Sequence, residues 1–146
     1  MTPARWWTVE HTADLAIEVE ARSLGELFVT GGLAMVGVLL GKEDGIGEPD
    51  AGPENDWRDL TLEAPDREAL FVDWLREILY IQLTEQVFFT TADFTELDDE
   101  RLVARVAFQL PSKEVEVHRE LKGVTYHDLE VVRRGEGWFA RIVFDL

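Results

Sequence analysis

The most constraining feature of this sequence is a run in which every second side chain is apolar, at Leu102, Ala104, Val106, Phe108 and Leu110. A period of two places these side chains on one face of an extended chain, which indicates a β-strand with one buried face. Residues 15–20 repeat the pattern, and residues 138–144 repeat it near the C-terminus. Alternation in separate segments predicts a sheet that covers a core on one side, as antiparallel sheets do.

The same pattern predicts about seven strands, most of them consecutive along the chain. We expect them at residues 6–9, 15–20, 57–63, 87–94, 102–110, 122–133 and 137–145. Residues 98–100 turn the chain between two of these strands, and residues 134–137 form a hairpin turn before the last one. Pro111 breaks the chain, and a further strand is expected to start near Val115.

Two other segments have the apolar spacing of a helix, and the first is residues 23–40. It begins with Ser23 and Glu26, which match a capping box, and Gly41 is placed to end it. Each glycine inside this segment lowers helix stability by about 1 kcal/mol relative to alanine. We therefore expect tertiary contacts, in the form of close packing on a sheet, to hold this helix together.

The second helix opens at Pro65, a residue that suits the first turn of a helix. Its apolar side chains form a broad stripe, which is typical of a helix packed on a core. The stripe comprises Leu70, Phe71, Trp74, Leu75, Ile78, Leu79 and Leu83. Because the stripe is so regular, we do not interpret Trp74 or Tyr80 as part of a binding site.

Residues 41–56 are rich in glycine and acidic side chains, and they lack the ligand spacing of an EF-hand calcium loop. We predict that this segment is a solvated connection. Two helices among mostly hairpin-linked strands indicate an α+β fold, with the helices packed on an antiparallel or mixed β-sheet sandwich. The chain has no internal repeat, and its 146 residues fit a single domain, residues 1–146.

The charge balance limits the partners of this protein. Thirty acidic residues against fourteen basic ones give a formal net charge of −16. Direct, tight binding of nucleic acid is not expected, because it needs clustered lysine and arginine to neutralise phosphates. An acidic surface favours metal cations or a basic protein surface, and it also serves solubility.

Cysteine usage and hydropathy exclude further classes. The sequence has no cysteine, which excludes disulfides, thiolate metal sites and a cysteine nucleophile. No apolar run reaches the roughly 18 residues of a membrane-spanning helix. The N-terminal residues lack the apolar core of a signal peptide, so we expect a cytoplasmic protein without membrane association.

Candidate metal ligands lie near both ends of the chain. His11 and Asp14 stand three residues apart just before the strand at 15–20, and Asp145 precedes the terminal residue, Leu146. Carboxylates and main-chain oxygens are the ligands that hard cations such as Ca²⁺ and Mg²⁺ prefer. A site forms only if the first and last parts of the chain meet. Otherwise both aspartates are solvated surface residues.

Three further candidates lie close together in the sequence. Lys122 is either a functional residue or a simple surface lysine. Tyr126 more often packs in a sheet than binds a ligand. His127 is either a hydrogen-bonded strand histidine or a functional one.

Taken together, these motifs resemble the archease family. The similarity runs from His11–Asp14 through the capped helix to three further blocks. These are residues 70–80 (LFVDWLREILY), 121–127 (LKGVTYH) and 143–146 (VFDL), the last ending with the chain. Two departures stand out: Gly123 replaces the usual alanine, and residues 108–114 lack the Gly-Glu that the family commonly carries there.

The resemblance implies a small α+β protein that is not itself an enzyme. Family members assist RtcB-type RNA ligases in tRNA splicing and RNA repair. They promote guanylylation of the ligase, allow its repeated turnover, and are also described as chaperone-like partners of RNA-modifying proteins. By position, the family's metal site would be Asp14, Asp145 and Leu146, with calcium the usual ion. Lys122 is the first further functional candidate, and His11 and His127 belong to the same signatures.

Two other functions stay open from the sequence. One is a metal-dependent hydrolase, in which Asp14 and Asp145 hold the metal and His127 acts as general base. The other is a structural or small-molecule-binding α+β module, whose acidic residues serve only the surface. The sequence does not determine the oligomeric state.

Overall fold

The computed structural model describes residues 3–10, 14–47, 54–111, 117 and 119–146. Its elements are β1 (Arg5–Glu10), β2 (Leu15–Ala21), α1 (Leu24–Leu39), β3 (Asp44–Ile46), β4 (Asp56–Glu63), α2 (Arg67–Glu85), β5 (Phe88–Leu97), β6 (Arg101–Gln109), β7 (Gly123–Arg134) and β8 (Gly137–Asp145). The predicted strand near Val115 lies outside the described residues.

The strands form two antiparallel sheets. One has five strands in the order β3-β1-β2-β8-β7, and the other has three in the order β4-β6-β5. Both helices contact both sheets: α1 touches β1, β2 and β5, and α2 touches β7, β4 and β5. The expected α+β fold is confirmed, and among the described strands every pairing is antiparallel rather than mixed.

An aromatic cluster holds the two helices together in the core. Trp74 of α2 is fully buried, and its indole Nε1 donates a hydrogen bond to the carbonyl oxygen of Phe28 at 2.8 Å. Phe28 also meets Phe71 edge to face, with 5.1 Å between the ring centroids. The polar indole group is therefore satisfied inside the core, as a buried tryptophan requires. This confirms that Trp74 is a core residue.

Helix α1 begins with the predicted cap. The Ser23 side chain accepts a hydrogen bond from the main-chain amide of Glu26 at 3.1 Å. The Glu26 carboxylate accepts from the main-chain amide of Arg22 at 2.8 Å, rather than from that of Ser23. Hydrogen bonds from the Arg22 guanidinium hold the pKa of Glu26 below its usual range. The Glu26 carboxylate therefore accepts a hydrogen bond from an amide just before the helix and also forms an ion pair with the Arg22 guanidinium.

The predicted loop at 41–56 contains a strand, and its residues 48–53 lie outside the described part of the chain. Residues 44–46 form β3, which pairs with β1 at the edge of the larger sheet. Gly45 allows this pairing because a Cβ there would lie 2.6 Å from the indole Nε1 of Trp6. The prediction was wrong here because a side chain distant in sequence, and not local propensity, decides where the backbone can approach.

Two apolar positions of the predicted patterns face solvent instead of the core. Leu83 is 55% exposed, because Gln82 takes the inward position and accepts a hydrogen bond from the amide of Phe89 at 3.0 Å. Leu110 is 79% exposed and follows the end of β6. The next residue, Pro111, has no amide hydrogen to continue the ladder. Both predictions of burial were wrong.

We expect Gly37→Ala to destabilise the protein although alanine is the better helix former. A Cβ at Gly37 would lie 2.2 Å from the Trp6 ring, and overpacking of this kind costs about 1–3 kcal/mol, against a helix gain of about 1 kcal/mol. Urea unfolding measures the difference. The matched control is Gly25→Ala in the same helix, where the nearest atom, in Phe94, is 3.4 Å away. Equal stability changes for the two variants would contradict this packing.

Candidate functional site

The pairing of β2 with β8 brings the two ends of the chain together. Leu15 pairs with Phe144 at the last position of this ladder. Asp14 directly precedes Leu15 and is a bend outside the strand, whereas Asp145 directly follows Phe144 and is the last residue of β8. The two aspartates therefore adjoin the terminal pair at the same end of the ladder. The condition for a site, that the two parts of the chain meet, is fulfilled by the pairing of β2 with β8.

The third strand at this edge is β7, which carries the residues around Lys122. Gly123 pairs with Asp145, and the amide of Lys122 donates a hydrogen bond to the carbonyl oxygen of Asp145 at 2.9 Å. We call Asp14, Asp145, Leu146 and Lys122 the strand-end site. Asp14 is partly buried, and the other three are exposed to solvent.

Gly123 leaves room beside the carboxylate of Asp145. A Cβ at this position would lie 3.7 Å from Asp145 Oδ2, which is an ordinary van der Waals distance. The alanine usual in the family would therefore fit here without displacing the carboxylate. The departure at this position does not change the shape of the strand-end site.

The donor chemistry of the strand-end site fits a hard cation. Asp14 and Asp145 supply side-chain carboxylates, and Leu146 supplies a main-chain oxygen. Within the described part of the chain, no three histidine, cysteine, aspartate or glutamate side chains group closely enough to hold a metal. Because Ca²⁺ takes about six to eight oxygens, the remainder would come from water and the main chain. His11 lies outside the described residues.

His127 lies elsewhere on β7. Three residues separate it from Gly123, and it belongs to the stretch 126–129 that has no register partner on β8. Its amide donates to Thr125 Oγ1 at 3.2 Å, and its Nε2 lies 3.4 Å from Asp128 Oδ2. Strand pairing therefore does not bring His127 to the two aspartates that the hydrolase hypothesis joins with it.

Ion pairs link the three neighbouring strands of the site, β2, β8 and β7, to one another. Arg141 of β8 donates from Nε to Glu18 of β2 at 2.8 Å, and from NH1 to Glu130 of β7 at 2.9 Å. The hydrogen bond with Glu18 is the main cause that raises the pKa of Arg141. The guanidinium of Arg141 thus links β2, β8 and β7 on the face of the sheet that carries Glu18 and Glu130.

Arg76 of α2 is a positioning residue that the sequence analysis missed. Its Nε and NH2 groups donate to the carbonyl oxygen of Val124 at 3.0 Å and 2.9 Å. Its guanidinium lies 4.9 Å from the centroid of the Tyr126 ring. This arginine ties the helix to the segment that follows Lys122. The only sequence feature that pointed to Arg76 was its position within residues 70–80, one of the blocks on which the family resemblance rests.

Over the residues that the structure describes, the geometry defines an α+β protein with two helices, two antiparallel sheets and oxygen donors at the end of the β2–β8 ladder. The family model described as "Archease protein family (MTH1598/TM1083)" matches residues 6–146. The chain therefore belongs to the archease family.

Individual relatives agree with this assignment. Protein archease of Methanosarcina acetivorans is 34% identical and covers 94% of this chain and 93% of its own length. Protein archease of Methanopyrus kandleri is 32% identical over 97% of this chain and 99% of its own. The solution structure of Methanobacterium thermoautotrophicum protein 1598 superposes with a TM-score of 0.73, at 30% identity, over 97% of this chain and 98% of that one.

A more distant structure has the same fold. The crystal structure of an archease from Thermotoga maritima, described as a possible chaperone, has a TM-score of 0.57 at 20% identity and covers 94% of each chain. Among the described residues of the present protein, neither helix has the length and apolarity to cross a membrane.

We expect Arg76→Lys to weaken the attachment of β7 to α2. A lysine keeps the charge but cannot place two donors on one carbonyl, and losing such a bond costs about 1 kcal/mol. Urea unfolding and hydrogen exchange of the β7 amides measure the loss. The control is Arg105→Lys, because the Arg105 guanidinium lies over Trp57 at 5.1 Å and no hydrogen bond from it is found in the described part. Unchanged β7 protection in Arg76→Lys would contradict the role.

Proposed function

We propose that this protein is a cytoplasmic accessory factor of an RtcB-type RNA ligase, itself without catalytic activity. It promotes guanylylation and multiple turnover of the ligase in tRNA splicing and RNA repair. Membership of the archease family and the description of the Thermotoga maritima relative as a possible chaperone support an accessory role. The observation that carries the proposal is the alignment of Asp14, Asp145 and Lys122 at adjoining strand ends.

The charge of the protein supports action through a protein partner. At a formal net charge of −16, the chain repels the phosphates of RNA at long range. A basic surface of a ligase that itself binds RNA is attracted by the same field. The accessory factor therefore contacts the enzyme, and the enzyme contacts the RNA.

The strand-end site would hold a divalent cation, with calcium as the proposed ion. Asp14, Asp145 and a main-chain oxygen of Leu146 would bind it, and the ladder between β2 and β8 holds the segments that carry the two aspartates side by side. A divalent cation neutralises negative charge on phosphates during nucleotide transfer. Lys122 adds a positive side chain whose main chain is fixed to Asp145, which suits contact with a nucleotide phosphate.

The first test is multiple-turnover ligation by a purified RtcB-type ligase at limiting GTP. We expect the wild-type protein to raise turnover, and Asp145→Ala and Lys122→Ala to lose most of this effect, because they remove a cation ligand and a phosphate contact. Asp59→Ala is the control, since Asp59 is an exposed aspartate on β4 of the other sheet. Full stimulation by folded Asp145→Ala and Asp14→Ala would refute the metal-centred role.

The second test is the melting temperature with and without calcium. A ligand that binds only the folded state at 100 times its Kd adds about 2.7 kcal/mol of stability. We expect calcium to raise the melting temperature of the wild type and of Asp59→Ala, but not of Asp145→Asn, which keeps the size of the side chain and removes its charge. No shift in the wild type with calcium or magnesium would favour a metal-free binding module instead.

A further inference from the structure

The exposed side of α2 carries large apolar side chains that the core does not use. Tyr80 is 64% exposed and Leu83 is 55% exposed, three residues apart on one side of the helix. Arg76, one turn before Tyr80, lies against Tyr126 of β7, whose side chain is 52% exposed. A row of exposed tyrosine, arginine and leucine side chains resembles the centre of a protein interface.

A wide bulge in β7 displays Tyr126 beside this helix. The register with β8 passes from Thr125–Val143 to Glu130–Arg141, so four residues, 126–129, stand opposite one. Tyr126, His127 and Asp128 are consecutive and all exposed, which regular alternation in a strand does not allow. Asp128 has a φ of 50°, a left-handed conformation that costs about 1 kcal/mol or more outside glycine.

The other end of the row opens into an apolar groove of about 390 Å³. Its lining includes Leu83, Phe88 and Val117, and the buried side chain of Gln82. Gln82 is 4% exposed and uses its oxygen to accept from the amide of Phe89. Its Nε2 donor has no hydrogen-bond partner within the described part of the chain. This donor is closed off from the groove, which therefore offers an occupant apolar contacts.

The charged side chains around this surface indicate which kind of partner it binds. Asp73 and Glu77 lie on the same side of α2 as Tyr80, and neither forms an ion pair within the described residues. The nearby cation, Arg76, donates to the neutral carbonyl oxygen of Val124 and keeps its charge, so two carboxylates stand against one cation here. A second copy of this chain would bring carboxylates against carboxylates, whereas a basic segment would neutralise them.

We propose that this surface, the α2 docking face, binds a basic segment of the partner protein. The face comprises Arg76, Glu77, Tyr80, Leu83, Tyr126 and the adjoining groove. An aliphatic side chain of the segment fills the groove, and its lysine or arginine side chains meet Asp73 and Glu77. The identity of the partner rests on the proposed function: it is the RtcB-type ligase, and docking is separate from the strand-end site.

The test is the affinity of the purified ligase for immobilised variants of this protein, measured by interferometry. We expect the double variant Tyr80→Ala with Leu83→Ser to weaken binding about tenfold or more, because exposed aromatic and aliphatic anchors carry interface energy. Glu77→Lys should also weaken binding and reduce its salt dependence. The control is Ile46→Ser, since Ile46 is 56% exposed on β3, at the opposite edge of the larger sheet from β7.

The outcomes separate docking from function. Weaker binding by the docking variants, with Asp145→Ala binding normally but not stimulating turnover, supports both proposals. Stimulation and binding that are both unchanged in the folded docking variants overturn docking alone. Docking-dependent binding by a wild type that does not stimulate the ligase overturns the proposed function alone. A folded wild type that neither binds nor stimulates the ligase overturns both.

Discussion

The antiparallel pairing of β2 with β8 is the constraint on which the rest of this protein depends. It joins the beginning and the end of the chain through a continuous ladder, with Ile17 and Ile142 fully buried at its centre. Asp14 and Asp145 adjoin the terminal pair of that ladder, Leu15 with Phe144. Because the side-chain period of a strand is two, a slip of one residue would bury charges and expose the core. The buried face therefore fixes the alignment of the strand-end site.

The two proposed functional surfaces lie outside the hydrophobic core. The strand-end site lies where β2 and β7 begin and β8 ends, and the α2 docking face lies on the side of the helix that is exposed to solvent. Arg76 connects them, because it hydrogen-bonds to Val124, one residue from the partner of Asp145 in the sheet. A protein bound to the docking face would thus touch the strand that carries Lys122. This arrangement suits an accessory factor that positions a few groups on an enzyme and carries out no reaction itself.

Sequence patterns predicted most of the fold because its elements are locally consistent. The alternation in β6, the capped start of α1 and the apolar stripe of α2 each agree with the structure formed. The exceptions are positions where a distant residue decides. The segment 44–46 became a strand because Gly45 fits against Trp6, and Leu83 faces solvent because Gln82 serves the amide of Phe89. Local sequence propensity predicts neither the contact of Gly45 with Trp6 nor the hydrogen bond of Gln82 with Phe89.

By itself, the sequence determined the class of fold, the acidic surface and the residue types available for binding a hard cation. Period-two and helical apolar patterns follow from backbone geometry, and net charge follows from composition, so neither needs tertiary information. Only the tertiary structure decided that Asp14 and Asp145 adjoin the same end of the β2–β8 ladder and that His127 lies in a stretch of β7 without a partner on β8. It also decided that the bulge in β7 turns Tyr126 towards Arg76. These relations depend on strand register and on contacts between residues far apart in sequence, which hydrophobic burial fixes only once the whole core is assembled.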